Sequence, residues 1–134
     1  MNRETAPHGL SPLDRIRRRL AEGPRREGEF NGDGRDLAPP RPPTPAAVLV
    51  PLVVREQAPS VLLTRRTDHL HHHPGQVSFP GGRVEEQDGS PVETALRETE
   101  EEIRLLRQHI ELLGCLPQYR TGTGFDVTSV VGLI

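Results

Sequence analysis

Residues 90–107 read SPVETALRETEEEIRLLR, and this stretch decides how the chain folds. Ser90, Pro91 and Glu93 form a capping box with proline at the first helical position, so a helix is predicted to begin there and to run over about residues 91–107. At about 100° per residue, the apolar side chains form one stripe that is expected to face a sheet. That stripe consists of Val92, Ala95, Leu96, Thr99, Ile103 and Leu106.

Three carboxylates share the neighbouring arc of the predicted helix. Glu98, Glu101 and Glu102 have the i, i+3, i+4 spacing. At this spacing each pair of like charges destabilises an isolated helix by about 0.3 kcal/mol. A hard divalent cation such as Mg²⁺ would offset this repulsion, and Arg97 stands where it can pair with Glu101. The alternative interpretation is a solvated acidic helix face.

The residues just before the helix favour the metal interpretation. Phe79, Pro80, Gly81 and Gly82 end a predicted strand at 77–79. Consecutive glycines let the backbone approach a ligand closely and expose carbonyl oxygens that serve as metal ligands.

Further strands are predicted on both sides of this region. Residues 46–54 (AAVLVPLVV) form an apolar run of strand length, in which Pro51 predicts an edge position or a bulge. A turn at 56–60 and a second strand at 61–64 complete a predicted hairpin. Two more strands are predicted at residues 110–116 and 127–134.

The first part of the chain differs in composition. Ser11, Pro12 and Asp14 predict a short amphipathic helix at 11–21, and its arginines indicate either a solvated basic face or a contact with an anionic ligand or membrane surface. Residues 23–45 are rich in proline and glycine and predict an extended linker. The predicted organisation is a helix in 1–22, a linker in 23–45 and one domain in 46–134.

The end of the chain falls within the apolar run of residues 129–134. A buried strand that ends a chain would lack later partners, and residues 46–134 are few for a layered α/β domain. We therefore expect a sheet that is incomplete at the C-terminus and a truncated sequence.

Bulk composition narrows the functional classes. The 17 Lys+Arg against 19 Asp+Glu give a formal net charge of −2, so the basic excess of a nucleic-acid-binding protein is missing. Cys115 is the single cysteine and forms no intramolecular disulfide, which predicts a reducing, cytoplasmic location. No apolar run approaches the ~18 residues of a membrane span. Nothing in the sequence fixes an oligomeric state.

Residues 82–105 resemble the Nudix box, GX5EX7REUXEEXGU, through the core Arg97-Glu98-Thr99-Glu100-Glu101-Glu102. The segment departs from the pattern in four ways: Asp88 stands for the first Glu, residues 89–96 are one more than the usual spacer, Thr99 is small for an apolar position, and Arg104 replaces the late Gly. The resemblance implies a Nudix-type α/β/α sandwich with a mixed sheet.

The resemblance also implies Mg²⁺- or Mn²⁺-dependent attack of water on a pyrophosphate. Glu98 and Glu102 are the expected first metal ligands, and Glu101 is a ligand or the base that orients water. Arg97 joins Glu98 and Glu101 as a catalytic residue, and a backbone oxygen of Gly82, or of its neighbour Gly81, completes the metal shell.

Residues 62–82 (LLTRRTDHLHHHPGQVSFPGG) resemble the second signature of coenzyme A diphosphatases, LLTxRSxxxRxHxGQxxFPGG, with Thr67 for Ser and His71 for Arg. The implied reaction cleaves coenzyme A or its derivatives to 4′-phosphopantetheine and 3′,5′-ADP. Arginine gives bidentate donors to phosphates, and Arg65 is a further donor of this kind. The implied substrate-binding residues are Arg66, His73, Gln76, Ser78, Gly81 and Arg83.

Three alternatives remain open at this stage. The histidines at 69 and 71–73 indicate a transition-metal site, loop packing or, for His73, a phosphate contact. The enzyme could act on another nucleoside diphosphate derivative, such as ADP-ribose or a nucleoside triphosphate. The chain could also be an inactive fragment or a binding domain.

Overall fold

The computed structural model of the chain describes residues 9–23, 42–56, 58–65 and 75–134. In chain order, the elements are α1 (Pro12–Glu22), β1 (Thr44–Val53), β2 (Ser60–Val61), β3 (Thr64–Arg65), β4 (Val77–Ser78), β5 (Gly81–Arg83), α2 (Pro91–Ile103), a 3-10 turn (Arg107–His109), β6 (Glu111–Cys115), β7 (Tyr119–Arg120) and β8 (Phe125–Leu133). None of the helices in these ranges is long and apolar enough to cross a membrane.

Two long strands form the centre of a mixed, six-stranded sheet. β1 and β8 run parallel in continuous register from Thr44↔Phe125 to Leu52↔Leu133. The other edge of β1 pairs antiparallel with β5 near its start and with β2 near its end. The other edge of β8 pairs antiparallel with β6 and β7, while β3 and β4 form a separate two-stranded sheet.

The predicted strands at 46–54, 110–116 and 127–134 are confirmed as β1, β6 and β8, with ends shifted by one or two residues. The predicted hairpin is confirmed by the pairs Leu52↔Val61 and Val53↔Ser60. The prediction of one strand at 61–64 was wrong, because this segment contributes to two short strands in different sheets. Strand β8 is paired along both edges, with β1 on one edge and with β6 and β7 on the other.

Pro51 lies in an interior strand, so the prediction of an edge position was wrong. Leu49 donates its N–H to the carbonyl of Pro80 in front of β5, and the carbonyl of Pro51 accepts from Leu62 beyond the start of β2. Alternate residues of a strand point their backbone groups to the same side. The proline nitrogen therefore faces the gap between β5 and β2, where no strand requires a donor.

Helices cover both faces of the sheet, as the expected three-layer α/β arrangement requires. Successive side chains of a strand point to opposite faces. On one face Ala47, Leu49 and Val130 form a buried cluster with Ala95 of α2. On the other face Val50, Leu52 and Val131 line a cleft beside Ile16 and Leu20 of α1.

Helix α2 begins as predicted and ends earlier. The Ser90 hydroxyl accepts from the N–H of Glu93 at 3.3 Å, but the Glu93 carboxylate binds Arg107 at 2.8 Å instead of completing a capping box. The helix ends at Ile103 because Arg104 adopts a left-handed conformation, with φ 59°. The expected position of Leu106 on the buried stripe was therefore wrong, and its side chain is 39% exposed.

Helix α1 matches the predicted amphipathic helix, shifted by one residue to Pro12–Glu22, and the Ser11 hydroxyl caps it by accepting from Asp14 N–H at 3.1 Å. Most of the predicted linker, residues 24–41, lies outside the described ranges. The last two residues of the predicted linker, Thr44 and Pro45, are the first residues of β1.

Candidate active site

Helix α2 lies against β1 and β5, and the loop of residues 84–90 returns the chain from β5 to the start of the helix. This reversal brings the acidic arc of α2 over the glycine pair of β5. Gly81 and Gly82 follow the predicted strand and lie in a strand of their own, opposite Val48 and Ala47 of β1.

The carboxylate of Glu98 packs directly against Gly82. A Cβ atom built on Gly82 would lie 2.6 Å from Cδ and 2.6 Å from Oε2 of Glu98. The Glu98 side chain is only 18% exposed. The missing side chain at position 82 therefore creates the space that this carboxylate occupies.

The carboxylate of Glu102 contacts the neighbouring glycine, whose backbone N–H donates to Glu102 Oε2 at 3.2 Å. Pro80 and Leu49 form a hydrogen-bonded pair across β5 and β1, and such pairs alternate along an antiparallel ladder. The backbone groups of Gly82 therefore point toward β1, whereas those of Gly81 point away from it, toward Glu102. The ladder geometry favours the Gly81 carbonyl as the backbone ligand, ahead of the predicted Gly82 oxygen.

The predicted ion pair of Arg97 with Glu101 is present, but the shorter contacts of Arg97 are with Asp88. Its Nε and Nη2 donate to the two carboxylate oxygens of Asp88, each at 2.9 Å. Its Nη1 donates to Glu98 at 3.1 Å and makes a longer contact of 3.5 Å with Glu101. The bidentate pair fixes the guanidinium, which in turn orients the Glu98 carboxylate.

The sequence did not predict that Asp88 would anchor Arg97. Its side chain is 4% exposed and also accepts from Glu85 N–H at 2.9 Å and from the Thr94 hydroxyl at 2.8 Å. The hydrogen bonds from Arg97, and next from Glu85, hold the pKa of Asp88 well below its usual range, and the same pair raises the pKa of Arg97. The alignment of Asp88 with the first Glu of the Nudix box could have indicated that this carboxylate belongs to the site.

Two threonines of α2 are buried with their hydroxyls satisfied. The Thr99 hydroxyl donates to the Ala95 carbonyl at 2.7 Å, which explains how threonine occupies the apolar position of the box. Thr94 was missing from the predicted stripe, and its hydroxyl contact with Asp88 accounts for its burial.

Glu101 lies apart from the other two acids. Its side chain is 59% exposed and reaches the cluster through the long contact with Arg97. The structure thus places the carboxylates of Glu98 and Glu102 against the glycine pair, although Glu102 is solvent-exposed, as Glu101 is. The role of Glu101 as a ligand or base stays a prediction.

The donors around the glycine pair have the chemistry of a site for a hard cation. Within the described ranges, no three His, Cys, Asp or Glu side chains converge to form a ready-made metal centre. Mg²⁺ is typically held by one or two carboxylates together with water and substrate phosphates. The carboxylates of Glu98 and Glu102 and the backbone carbonyls of the glycine pair are oxygen donors of this kind.

The predicted substrate-binding residues fall into two groups. Arg66, His73 and the whole histidine cluster lie outside the described residues. Gln76 and Ser78 are exposed, and the Ser78 carbonyl accepts from the Thr64 hydroxyl at 3.1 Å. The exposed Arg83 lies with its guanidinium carbon 5.5 Å from the centre of the Phe125 ring, and its carbonyl accepts from Arg97 at 3.4 Å.

A sequence profile of the NUDIX domain matches residues 43–131, which include both the sheet and the acidic helix. The chain belongs to the Nudix family. The match covers the segment in which Glu98, Glu102 and the glycine pair meet.

Several Nudix proteins from bacteria are similar in sequence. The uncharacterized Nudix hydrolase NudL of Yersinia enterocolitica is 52% identical over 89 residues, which cover 66% of this chain and 45% of that protein. The protein of the same description from Enterobacter sp. is 53% identical, and that from Escherichia coli K12 is 51% identical, each covered to 46%. The chain thus spans about half the length of these relatives.

Solved Nudix structures share the fold. RenU of M. smegmatis has a TM-score of 0.56 and 21% identity, over 67% of this chain and 60% of that one. The Ap4A hydrolase of C. elegans has a TM-score of 0.53 and 21% identity, over 67% of each chain. At these identities the likeness concerns the Nudix fold alone.

Proposed function

We propose that this Nudix chain hydrolyses the pyrophosphate bond of coenzyme A or its derivatives with the help of Mg²⁺ or Mn²⁺, giving 4′-phosphopantetheine and 3′,5′-ADP. The observation that carries the proposal is the convergence of Glu98 and Glu102 on the Gly81–Gly82 pair. That glycine pair ends the segment that resembles the coenzyme A diphosphatase signature.

The described residues of that segment support the same substrate. Its two arms are joined in the β3–β4 sheet, where Thr64 pairs with Ser78 and Arg65 with Val77. The second arm then continues into β5 and the glycine pair. Thr64 and Arg65 of the first arm also line a cavity together with Glu102, which supports a signature that reaches the acidic site.

Each residue of the site has a distinct task in the proposed reaction. Glu98 and Glu102 hold the cation, which when bound supplies Lewis-acid charge to the pyrophosphate oxygens. Arg97 keeps the Glu98 carboxylate oriented, and Asp88 keeps Arg97 in place. The exposed Glu101 accepts a proton from the attacking water or orients that water.

The glycine pair and Arg83 contribute positioning. The missing side chain at Gly82 leaves the space that the Glu98 carboxylate occupies, and the missing side chain at Gly81 lets β5 pack closely on β1. The exposed guanidinium of Arg83 gives bidentate donors to a substrate phosphate. Positioning and electrostatics supply most of the rate enhancement in such a site.

The test compares glutamine variants along one helix. Glu102→Gln and Glu98→Gln keep the side-chain shape and remove the charge, while Glu100→Gln changes an exposed glutamate of the same helix and serves as the control. We expect the rate of coenzyme A hydrolysis to fall about 10²-fold or more in the first two variants and to stay unchanged in the control. Equal hydrolysis by the Glu102→Gln variant would show that the ligand assignment is wrong.

A substrate panel separates the proposal from its alternatives. Coenzyme A, ADP-ribose and a nucleoside triphosphate are offered to the same preparation, and the phosphate-bearing products are identified. Faster hydrolysis of ADP-ribose or of the nucleoside triphosphate would show that coenzyme A is not the preferred substrate, while the proposed hydrolysis at a diphosphate would still hold. An inactive fragment would hydrolyse none of them, and a cooperative unfolding transition would then separate a folded binding domain from an incompletely folded chain.

A further inference from the structure

A second cavity adjoins the acidic site on the side of Glu102. It lies between the segment that follows β2 and the C-terminal end of α2, and its volume is about 580 Å³. Leu63 and Leu105 give it apolar walls, while Arg65 and Arg104 bring two cations to its rim. A ligand in this cavity would lie beside a residue that we propose as a metal ligand.

The backbone conformation of Arg104 is the most unusual feature of the cavity. Its φ of 59° and ψ of 27° lie in the left-handed region, and it is the sole non-glycine residue with a positive φ in the ranges that the structure covers. Glycine adopts this conformation without strain, and glycine is the residue of the Nudix box at this place. Strained backbone conformations cluster at active sites and ligand-binding sites.

The two arginines are available for an anion. Among the residues that the structure describes, neither Arg65 nor Arg104 forms an ion pair. This holds even though Glu100 and Glu101 border a neighbouring cavity together with Arg104. Two guanidinium groups beside apolar walls suit a phosphate attached to an organic group, because arginine donates two parallel hydrogen bonds to phosphate oxygens.

We propose that this cavity binds the nucleoside end of the substrate, with Arg104 and Arg65 contacting its 3′-phosphate. The inference rests on the proposed function, because in coenzyme A the 3′-phosphate is the one phosphate outside the cleaved diphosphate. Arg104 then contributes to substrate specificity. Its left-handed backbone conformation at the end of α2 costs some stability, and its guanidinium adds a cation to the cavity.

Binding of two nucleotides that differ by one phosphate tests the inference directly. Dissociation constants of 3′,5′-ADP and 5′-AMP are measured by calorimetry for the full chain and for Arg104→Gly, Arg104→Gln and Arg104→Lys. Arg18→Gln removes an exposed cation from α1, on the opposite face of the sheet, and is the matched control.

We expect Arg104→Gly and Arg104→Gln to weaken binding of 3′,5′-ADP about tenfold and to leave 5′-AMP unchanged. Arg104→Lys should retain part of the preference, and Arg18→Gln all of it. Arg104→Gly should also raise the melting temperature, since it relieves the strain, whereas Arg104→Gln should not.

Two results would overturn the inference: a wild-type chain that does not prefer 3′,5′-ADP, or Arg104 variants that lose affinity for both nucleotides equally. The measurement needs no turnover. If coenzyme A is not hydrolysed but the preference for 3′,5′-ADP still depends on Arg104, the proposed function fails and the phosphate site stands.

Discussion

Alanine substitutions in the glycine pair separate the catalytic role of Gly82 from the structural role of Gly81. In Gly82→Ala the new methyl group meets the Glu98 carboxylate at 2.6 Å. An ordinary contact begins at 3.4 Å, so the carboxylate must move by about 0.8 Å, the difference between the two distances. Because the carboxylate is the end of a flexible side chain, the move costs little, and we expect the free energy of unfolding to change by less than about 1 kcal/mol.

The same displacement of the Glu98 carboxylate is expected to reduce the catalytic activity strongly. A functional constellation has to be held within about 0.5 Å of its productive geometry, and a misplacement of about 1 Å reduces activity about 10²-fold. Coenzyme A hydrolysis by Gly82→Ala should therefore fall by about that factor. The concentration of divalent cation that gives half-maximal activity should rise as well, because Glu98 is a proposed metal ligand.

Gly81→Ala should act on the fold. Its methyl group would lie 2.3 Å from the Ala47 carbonyl oxygen and 2.7 Å from the Val48 Cα. These are backbone atoms of β1, so the β1–β5 pairing has to open. We expect a loss of about 3 kcal/mol, at the upper end for overpacking, and a melting temperature lower by roughly 12–24 °C for a domain of this size.

The assay measures urea unfolding and hydrolysis on the same preparations, with Gly89→Ala as the control. No heavy atom lies within 4 Å of a Cβ built on Gly89. This control should keep full activity and gain up to about 1 kcal/mol in stability. Full activity in Gly82→Ala would refute the placement of Glu98, and a Gly81→Ala variant as stable as the control would refute the packing of β5 on β1.

Two further predictions concern the neighbours of the site. Because the hydrogen bonds from Arg97 hold the pKa of Asp88 below its usual value near 4, the pair stabilises the fold at neutral pH and its contribution is lost as the pH falls below about 4. The melting temperature of the wild-type chain should therefore fall more steeply between about pH 5 and pH 2 than that of Asp88→Asn, which has no titrating group there; parallel curves would contradict the assignment. Phe125→Leu removes the ring beneath Arg83 and should raise the KM for coenzyme A about 2- to 5-fold with kcat unchanged, whereas Phe125→Tyr should behave like the wild type. A fall in kcat alone would show that the ring does not act through substrate binding.

Local patterns were enough to predict the elements that carry the chemistry. Ser90 and Pro91 marked the start of α2, because a cap depends on residues within one turn. The helical repeat then placed Glu98 and Glu102 one turn apart on the same side of the helix. Alternating and apolar runs predicted the long strands β1 and β8, because the side-chain period of a strand is also a local property.

Contacts that join distant segments were not predictable in this way. The bidentate pair of Asp88 and Arg97 depends on the path of the loop between β5 and α2. The sequence predicts an edge position or a bulge for Pro51. Its position in an interior strand is possible because β5 stops and β2 starts on either side of it along β1. The left-handed turn at Arg104 shortened the helix, although arginine gives no such signal in isolation.

The acidic helix and its start follow from interactions within a few residues along the chain, and the glycine pair is visible in the sequence. The fold alone places the glycines in a strand, turns Gly81 toward Glu102, makes room for Glu98 at Gly82 and pairs Asp88 with Arg97. The physical reason is that these contacts arise from the pairing of β5 with β1 and the packing of α2 across both, and the geometry of such packing is fixed by the whole sheet.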